Sequence, residues 1–294
     1  MLEAMVKTKS ILRLDPDFPK SLADIPRWPT ELQVHGSLCS EGPAVAIVGA
    51  RAASGTAMRA AYDLAAGLAR RGYRIISGGA LGIDAAAHRG ALSVTGGYTL
   101  AVMACGLDSY YPKRNQRLFE TIIATGGAVV SPFALGQKPL RGNFVRRNQV
   151  IAALADIVVL VEANTGSGSL HTARYALGCR RHLAVYSGSP GCESLLARGV
   201  PPVQSAEDVA QLLAGKPRTH SVERPAPGSP EAHILSQLSL TQPRAATGLA
   251  EATGISIRQV QRTMIQLELQ SLALTVPGQR YLLSPLASKA PGDG

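Results

Sequence analysis

The sequence holds little that would tie it to a metal, a membrane or an oxidising compartment. Its four cysteines, Cys39, Cys105, Cys179 and Cys192, are widely spaced, with no C-x-x-C and no zinc-type histidine spacing. They are therefore read as reduced, buried thiols rather than a disulfide framework or a zinc site. The six histidines are scattered too, and no metal or other cofactor is expected. No apolar run approaches the length of a membrane span, and MLEAMVKTKS at the start lacks the apolar segment of a signal peptide. A cytoplasmic protein with no membrane partner is the expectation. The absence of G-x-x-x-x-G-K-[ST] excludes a P-loop NTPase. Aromatics make up only 4% of the chain, so each one near charge carries weight.

Basic charge is what the sequence has in excess. Thirty Lys and Arg against twenty Asp and Glu leave +10 over 294 residues, which favours a polyanionic partner over a neutral metabolite. From residue 45 to 213, short β-branched runs alternate with helix-length Ala/Leu/Arg segments: AVAIVGA, YRIISGG, YTLAVMA, GAVVSPF, DIVVLVE and HLAVYSG read as strands. This is the rhythm of an α/β fold, an extended Rossmann-like doubly wound, mostly parallel sheet, with ligands expected where strands hand over to helices. Residues 1–44 read as an N-terminal extension wrapping that domain. Residues 214–229, with Pro217, Pro225 and Pro227, read as a linker. Three amphipathic helices and a hairpin tipped by Pro277-Gly278 then predict a small winged helix-turn-helix domain over residues 230–286, with Ser256 as a helix N-cap.

Two segments carry chemistry. The first strand ends Gly49-Ala-Arg51-Ala-Ala-Ser54, where a dinucleotide fold would have G-x-G-x-x-G, and Ser77-Gly78-Gly79 follows the second strand in place of an acid. An arginine in such a turn supplies a planar, permanent cation suited to a phosphodiester, or else an ion pair within the fold. Between Thr121 and Ala155 there is no acidic residue, while Lys138, Arg141, Arg146 and Arg147 cluster around Phe144. Cations beside a ring suit a single nucleic-acid strand, the charges tracking its backbone while the ring stacks on an unpaired base. The alternative is a core phenylalanine below a solvated basic face. Further on, EANTGSGSLHTA (162–173) opens a helix with small and hydroxyl side chains, a corner that favours an anion. Asp84 and His88, four apart on one helix, read as a structural pair or as acid–base groups; no catalytic constellation is evident.

Taken together, VGARAASG (48–55), ISGGALGIDAAAHRGAL (76–92), AVMACGLDSYYPKRNQRL (101–118), the stretch 143–173 and LELQSLALTVPGQRYLL (267–283) resemble the DNA-processing protein A family, DprA or Smf. The resemblance runs over residues 15–285. It implies a non-catalytic protein, a homodimer, that binds single-stranded DNA, protects it and helps load the RecA recombinase in natural transformation and recombination. By position it implies that Gly49, Arg51 and Ser54 line a phosphate pocket and that Gly78 and Gly79 allow close approach of the strand. Arg141, Phe144, Arg146, Arg147 and Asn148 then meet backbone and base, and Ser167, Gly168, Ser169 and Thr172 complete the rim. The chain departs from the family pattern at Pro132, Gln149, His171 and Tyr186, and no counterpart of the helical N-terminal module of many members is expected. Two rival readings remain: a sensor binding a small nucleotide in the same pocket, and a nucleoside-monophosphate-cleaving enzyme, for which Thr165 to Ser169 is a poor loop and Glu162 the one nearby glutamate.

Overall fold

The computed structural model describes residues 8–25, 28–39, 41–215, 225–239, 242–269, 272–276 and 280–283. The start of the chain, most of the expected linker and the Pro277-Gly278 tip lie outside these residues. The chain divides into two compact units, residues 1–216 and 217–294.

In the first unit, β3 (Ala44–Gly49), β4 (Arg74–Ser77), β5 (Thr99–Val102), β6 (Ala128–Ser131), β7 (Ile157–Val161) and β8 (His182–Tyr186) run parallel. Their side chains are buried on both faces, as covered parallel strands require, which is why each reads as an unbroken apolar run. The fold class expected from the sequence is the one observed. With β1 at Lys9–Leu12 and β2 at Glu31–Gly36, the strand order is β1-β2-β6-β5-β4-β3-β7-β8. Successive strands step one way from β3 to β6, then the chain returns to place β7 on the other side of β3. The topological switch point therefore lies between the ends of β3 and β7, where Gly49 pairs with Val161. Helices α1 (Gly55–Arg70), α2 (Ile83–Leu92), α3 (Gln116–Ala124) and α7 (Ala206–Ala214) cover one face over Val45, Ile47, Ile75, Val129 and Val159. Against the other strand positions lie α4 (Arg141–Leu154) and α5 (Ser169–Gly178), which pack on each other and reach β3 and β7.

Strands β1 (Lys9–Leu12) and β2 (Glu31–Gly36), from the stretch read as a wrapping extension, pair antiparallel with each other, and β2 pairs with β6. They prolong the sheet. Helix α6 (Pro190–Leu196) follows β8, short and opening on Ser-Pro-Gly.

The second unit has α8 (Pro230–Ser236), β9 (Arg244–Ala245), α9 (Ala246–Thr253), α10 (Ile257–Leu269), β10 (Ala273–Val276) and β11 (Arg280–Leu283), its strands ordered β10-β11-β9. Ile234, Leu249, Val260, Met264, Leu267 and Leu272 form a core of its own. Gly254 ends α9 in the left-handed region at φ 71, and Ser256 Oγ accepts the Gln259 N–H at 3.3 Å to cap α10. This is a winged-helix domain. Among the described residues, no helix is long and apolar enough to cross a membrane.

Candidate nucleic-acid interface

At the switch point a cavity of about 390 Å³ opens between the end of β3, the start of α4 and the start of α5. It brings together Gly49, Arg51, Phe144, Arg147, Asn148, Ser167, Gly168, Ser169 and Thr172 from the sequence-derived set, with Asp84 at its inner wall. Lys138, Arg141 and Arg146 are exposed but line other surface, and Ser54 and Gly79 stand outside the cavity wall.

Arg51 is exposed, and its guanidinium lies over the Phe144 ring, 4.5 Å from the centroid. Phe144 is half-buried, with Tyr111 against it edge-on at 5.8 Å. Arg51 is thus held over an aromatic ring at the cavity wall, a preorganised cation rather than a loose one. Arg147 behaves differently. Only 4% exposed, it donates to the carbonyls of Gly78 and Val102 and, through Nε, to Asn148 Oδ1 at 3.2 Å. Burial pushes its pKa down to about 10, partly offset by the Asp84 carboxylate, so it stays charged at neutral pH. Its charge reaches the cavity, but its hydrogen bonds tie α4 to β4 and β5.

Asp84, 6% exposed, accepts from the Ala80 N–H at 3.3 Å. Burial raises its pKa, against the pull of Arg147 and Arg51. His88 does not pair with it: His88 Nδ1 bonds Thr99 Oγ1 at 2.7 Å, Thr99 Oγ1 donates to Ile75 O, and His88 Nε2 is buried without a partner. Burial holds His88 neutral, with a pKa lowered to about 3. The expected Asp84–His88 pair is corrected to two independently anchored side chains.

Two helix N-termini border the site. That of α1 already holds an anion: Glu162, at φ 56, turns its carboxylate to accept from Ser54 N–H at 3.1 and 3.2 Å and from Ser54 Oγ at 2.5 Å. Ser54 Oγ also accepts the Ala57 N–H at 3.1 Å as the α1 cap. Ser54 is therefore a cap and a carboxylate partner, which corrects its expected place in a phosphate pocket. The N-terminus of α5 instead borders the cavity with its first N–H groups engaged within the turn, Ser169 N–H on Ser167 Oγ at 3.3 Å and the Leu170 and His171 N–H groups on the Ser167 and Gly168 carbonyls at 3.1 and 3.2 Å. It carries no acidic residue in its first turn, and Ser167 and Ser169 face it with hydroxyls 2.7 Å apart. Asn148 Nδ2 donates to Gly168 O at 3.2 Å and fixes α5 against α4.

The paired glycines also serve the protein itself. A Cβ on Gly78 would fall 2.5 Å from the Arg147 guanidinium, and one on Gly79, at φ +69, 2.6 Å from the Phe119 ring. Close approach is required there by Arg147 and Phe119. Arg146 points away from the cavity, its guanidinium 4.6 Å from the Trp28 centroid and 5.9 Å from that of Phe133. Tyr111 was missed in the sequence. Its signal was an aromatic separated by one proline from Lys113 and Arg114. Among the described residues no group of His, Cys, Asp and Glu could hold a metal ion.

A doubly wound sheet with a cation-lipped crevice at its switch point, carried on one chain with a winged helix, defines a restricted class of protein. The chain belongs to the DNA recombination-mediator protein A family, whose model matches residues 9–214, and the DprA winged helix domain model matches residues 218–279. It is 32% identical to Protein Smf of Synechocystis sp., over 91% of this chain and 78% of that protein. Among solved structures it resembles DNA processing protein A from Streptococcus pneumoniae (TM-score 0.64, 36% identity, 71% of this chain and 74% of that one). It likewise resembles the Helicobacter pylori protein (TM-score 0.64, 28% identity, 71% and 97%), whose structure concerned a single-stranded DNA binding mode.

Proposed function

We propose that this protein binds single-stranded DNA without catalysis, with the phosphate backbone held between Arg51 and the α5 N-terminus and bases resting on the Arg51–Phe144 plate. The observation that carries this reading is the preorganised Arg51 guanidinium on Phe144 at the mouth of a cavity whose far wall is a helix N-terminus with no acid in its first turn. A single strand offers what this geometry accepts: phosphates at the edge and unpaired π faces beside them. Helix α4 adds support, since it begins with Arg141 and has no acid in its first turn, against the preference of its own dipole. An external anion would relieve that conflict. The Glu162 carboxylate is committed to Ser54, away from the cavity, which disfavours the nucleoside-monophosphate-cleaving reading.

Family membership extends the proposal to a cytoplasmic homodimer that protects single strands and helps load the RecA recombinase in transformation and recombination. Accelerated RecA filament assembly on strands precoated with single-strand-binding protein is the expected outcome; an unchanged rate would remove that role. The cavity is also large enough for a mononucleotide, so the sensor reading is tested directly by thermal shift. Oligonucleotides are expected to raise the melting temperature and mononucleotides to leave it unchanged.

A further inference from the structure

The ring cluster opens on a second recess of about 70 Å³, lined by Arg51, Tyr111, Pro112, Phe144 and Arg147. Arg51, Phe144 and Arg147 line the central cavity as well, so the two spaces are neighbours on either side of these side chains. Tyr111 is 45% exposed and meets Phe144 at an interplanar angle of 65°. That contact braces the tyrosine on one side, while its exposure leaves much of the ring in contact with solvent. Phe144, by contrast, is half-buried and already carries the Arg51 guanidinium.

Beyond Tyr111 and Pro112, Lys113, Arg114 and Arg117 lie exposed on a 3-10 turn (Lys113–Asn115) and the first turn of α3. Buried Asn115 pins this turn to the loop after β4, its Nδ2 donating to Gly79 O at 2.9 Å and Ala80 O at 3.1 Å. Lys113 and Arg114 stand four and three residues before Arg117, spacings at which like charges on a helix repel. Among the described residues no ion pair involves them, and Glu120 is hydrogen-bonded to Gln116. On the other side of α4, Arg146 is stacked on Trp28. Lys113, Arg114 and Arg117 are therefore uncompensated cations beside an exposed ring.

We infer that Tyr111 is a second base platform and that Lys113, Arg114 and Arg117 hold the phosphates of the strand as it leaves the central cavity. This rests on the single-strand reading above. It gives the strand a path from the α5 N-terminus, across Arg51 and Phe144, over Tyr111 and along the start of α3.

The test uses the full chain and fluorescence anisotropy with oligothymidylates of about 4 and about 16 nucleotides, the span of sizes that single-strand sites occupy. Tyr111→Ala is expected to weaken the long oligonucleotide about 5- to 150-fold, the range of one lost base stack, and to leave the short one within about twofold. Replacing Lys113, Arg114 and Arg117 together by glutamine should flatten the salt dependence of the long oligonucleotide by about 2 in log–log slope, three contacts at about 0.7 each. Tyr111→Phe should bind as the parent does and covers the case in which the alanine variant folds poorly. Equal losses on both lengths, or unchanged affinity and slope, would overturn the inference while leaving the parent's single-strand binding intact. A parent chain that binds neither oligonucleotide would instead remove the underlying reading along with it.

Discussion

Helices α4 and α10 treat polar side chains in opposite ways. In α10, Val260, Met264 and Leu267 are buried with Thr263, while Arg258, Gln261, Arg262 and Gln266 are exposed, an amphipathic stripe that the core of its own unit accounts for. In α4, Asn143 and Arg147 are buried on the same face as Val150 and Ile151, at spacings of four, seven and eight, so one buried stripe mixes polar with apolar side chains. Packing alone does not explain a helix of that kind, because each buried amide or guanidinium must be hydrogen-bonded to avoid a penalty. The difference teaches where to look for function. The winged-helix unit is patterned for folding, whereas α4 is patterned for the cavity it borders.

The largest effect that would break this comparison is expected at Arg147. Arg147→Ala leaves Gly78 O and Val102 O without their donor and Asp84 without its cationic neighbour, and should destabilise the first unit by about 3–5 kcal/mol in chemical denaturation. A wild-type midpoint would mean that polar burial in α4 is not structural. In α10, Met264→Ala should lower the stability of the second unit by about 2–5 kcal/mol through a cavity in its core, with single-strand affinity unchanged. Coupled loss of binding would show that the units do not divide their roles as described.

Phe144→Ala sharpens the comparison, since it removes the plate beneath Arg51: a loss of about 1–3 kcal/mol in single-strand binding is expected, with melting little changed because the ring is only half-buried. A fold loss of about 3–5 kcal/mol with binding retained would make Phe144 a core residue. Near neutrality a smaller effect belongs to His88. Its folded pKa, about 3, lies below the ordinary value, so the neutral form stabilises the fold fully above about pH 6.5 and that contribution is lost as pH falls toward 3. From pH 7 to pH 6 the loss should be about 0.7 kcal/mol, and His88→Leu should flatten the stability–pH curve over that interval. Smallest of all, Arg258→Ala with Arg262→Ala should leave single-strand affinity unaltered. The isolated winged-helix unit should bind duplex weakly with a shallow salt slope, since α10 offers few phosphate contacts.

Much of the α/β unit was legible because fully buried parallel strands make continuous β-branched runs, as in DIVVLVE, which supplies β7. Strands β1 and β2 were not, since the stretch between them holds Pro16 and Pro19 and their pairing partner β6 lies about a hundred residues away. At the site, Arg51 and Phe144 stood out through residue type and local charge. The bond from Ser54 to Glu162 could not, because nothing in either segment reveals that β3 and β7 are neighbours at the switch point. For the same reason Gly78 looked like room for a ligand, when the group it accommodates is Arg147. Tyr111 followed the same aromatic-plus-cation logic as Phe144, but Asp108 and Glu120 flank its segment and mask its basic character.

The most direct test of the central claim is fluorescence anisotropy of the full chain with single- and double-stranded oligonucleotides of equal length, across a salt series. The account predicts tighter binding of the single strand at every salt concentration, falling with a log–log slope of about −0.7 per phosphate contact, and a marked loss in Arg51→Ala without a change in melting temperature. Equal or tighter binding of the duplex, or single-strand affinity indifferent to Arg51, would contradict it.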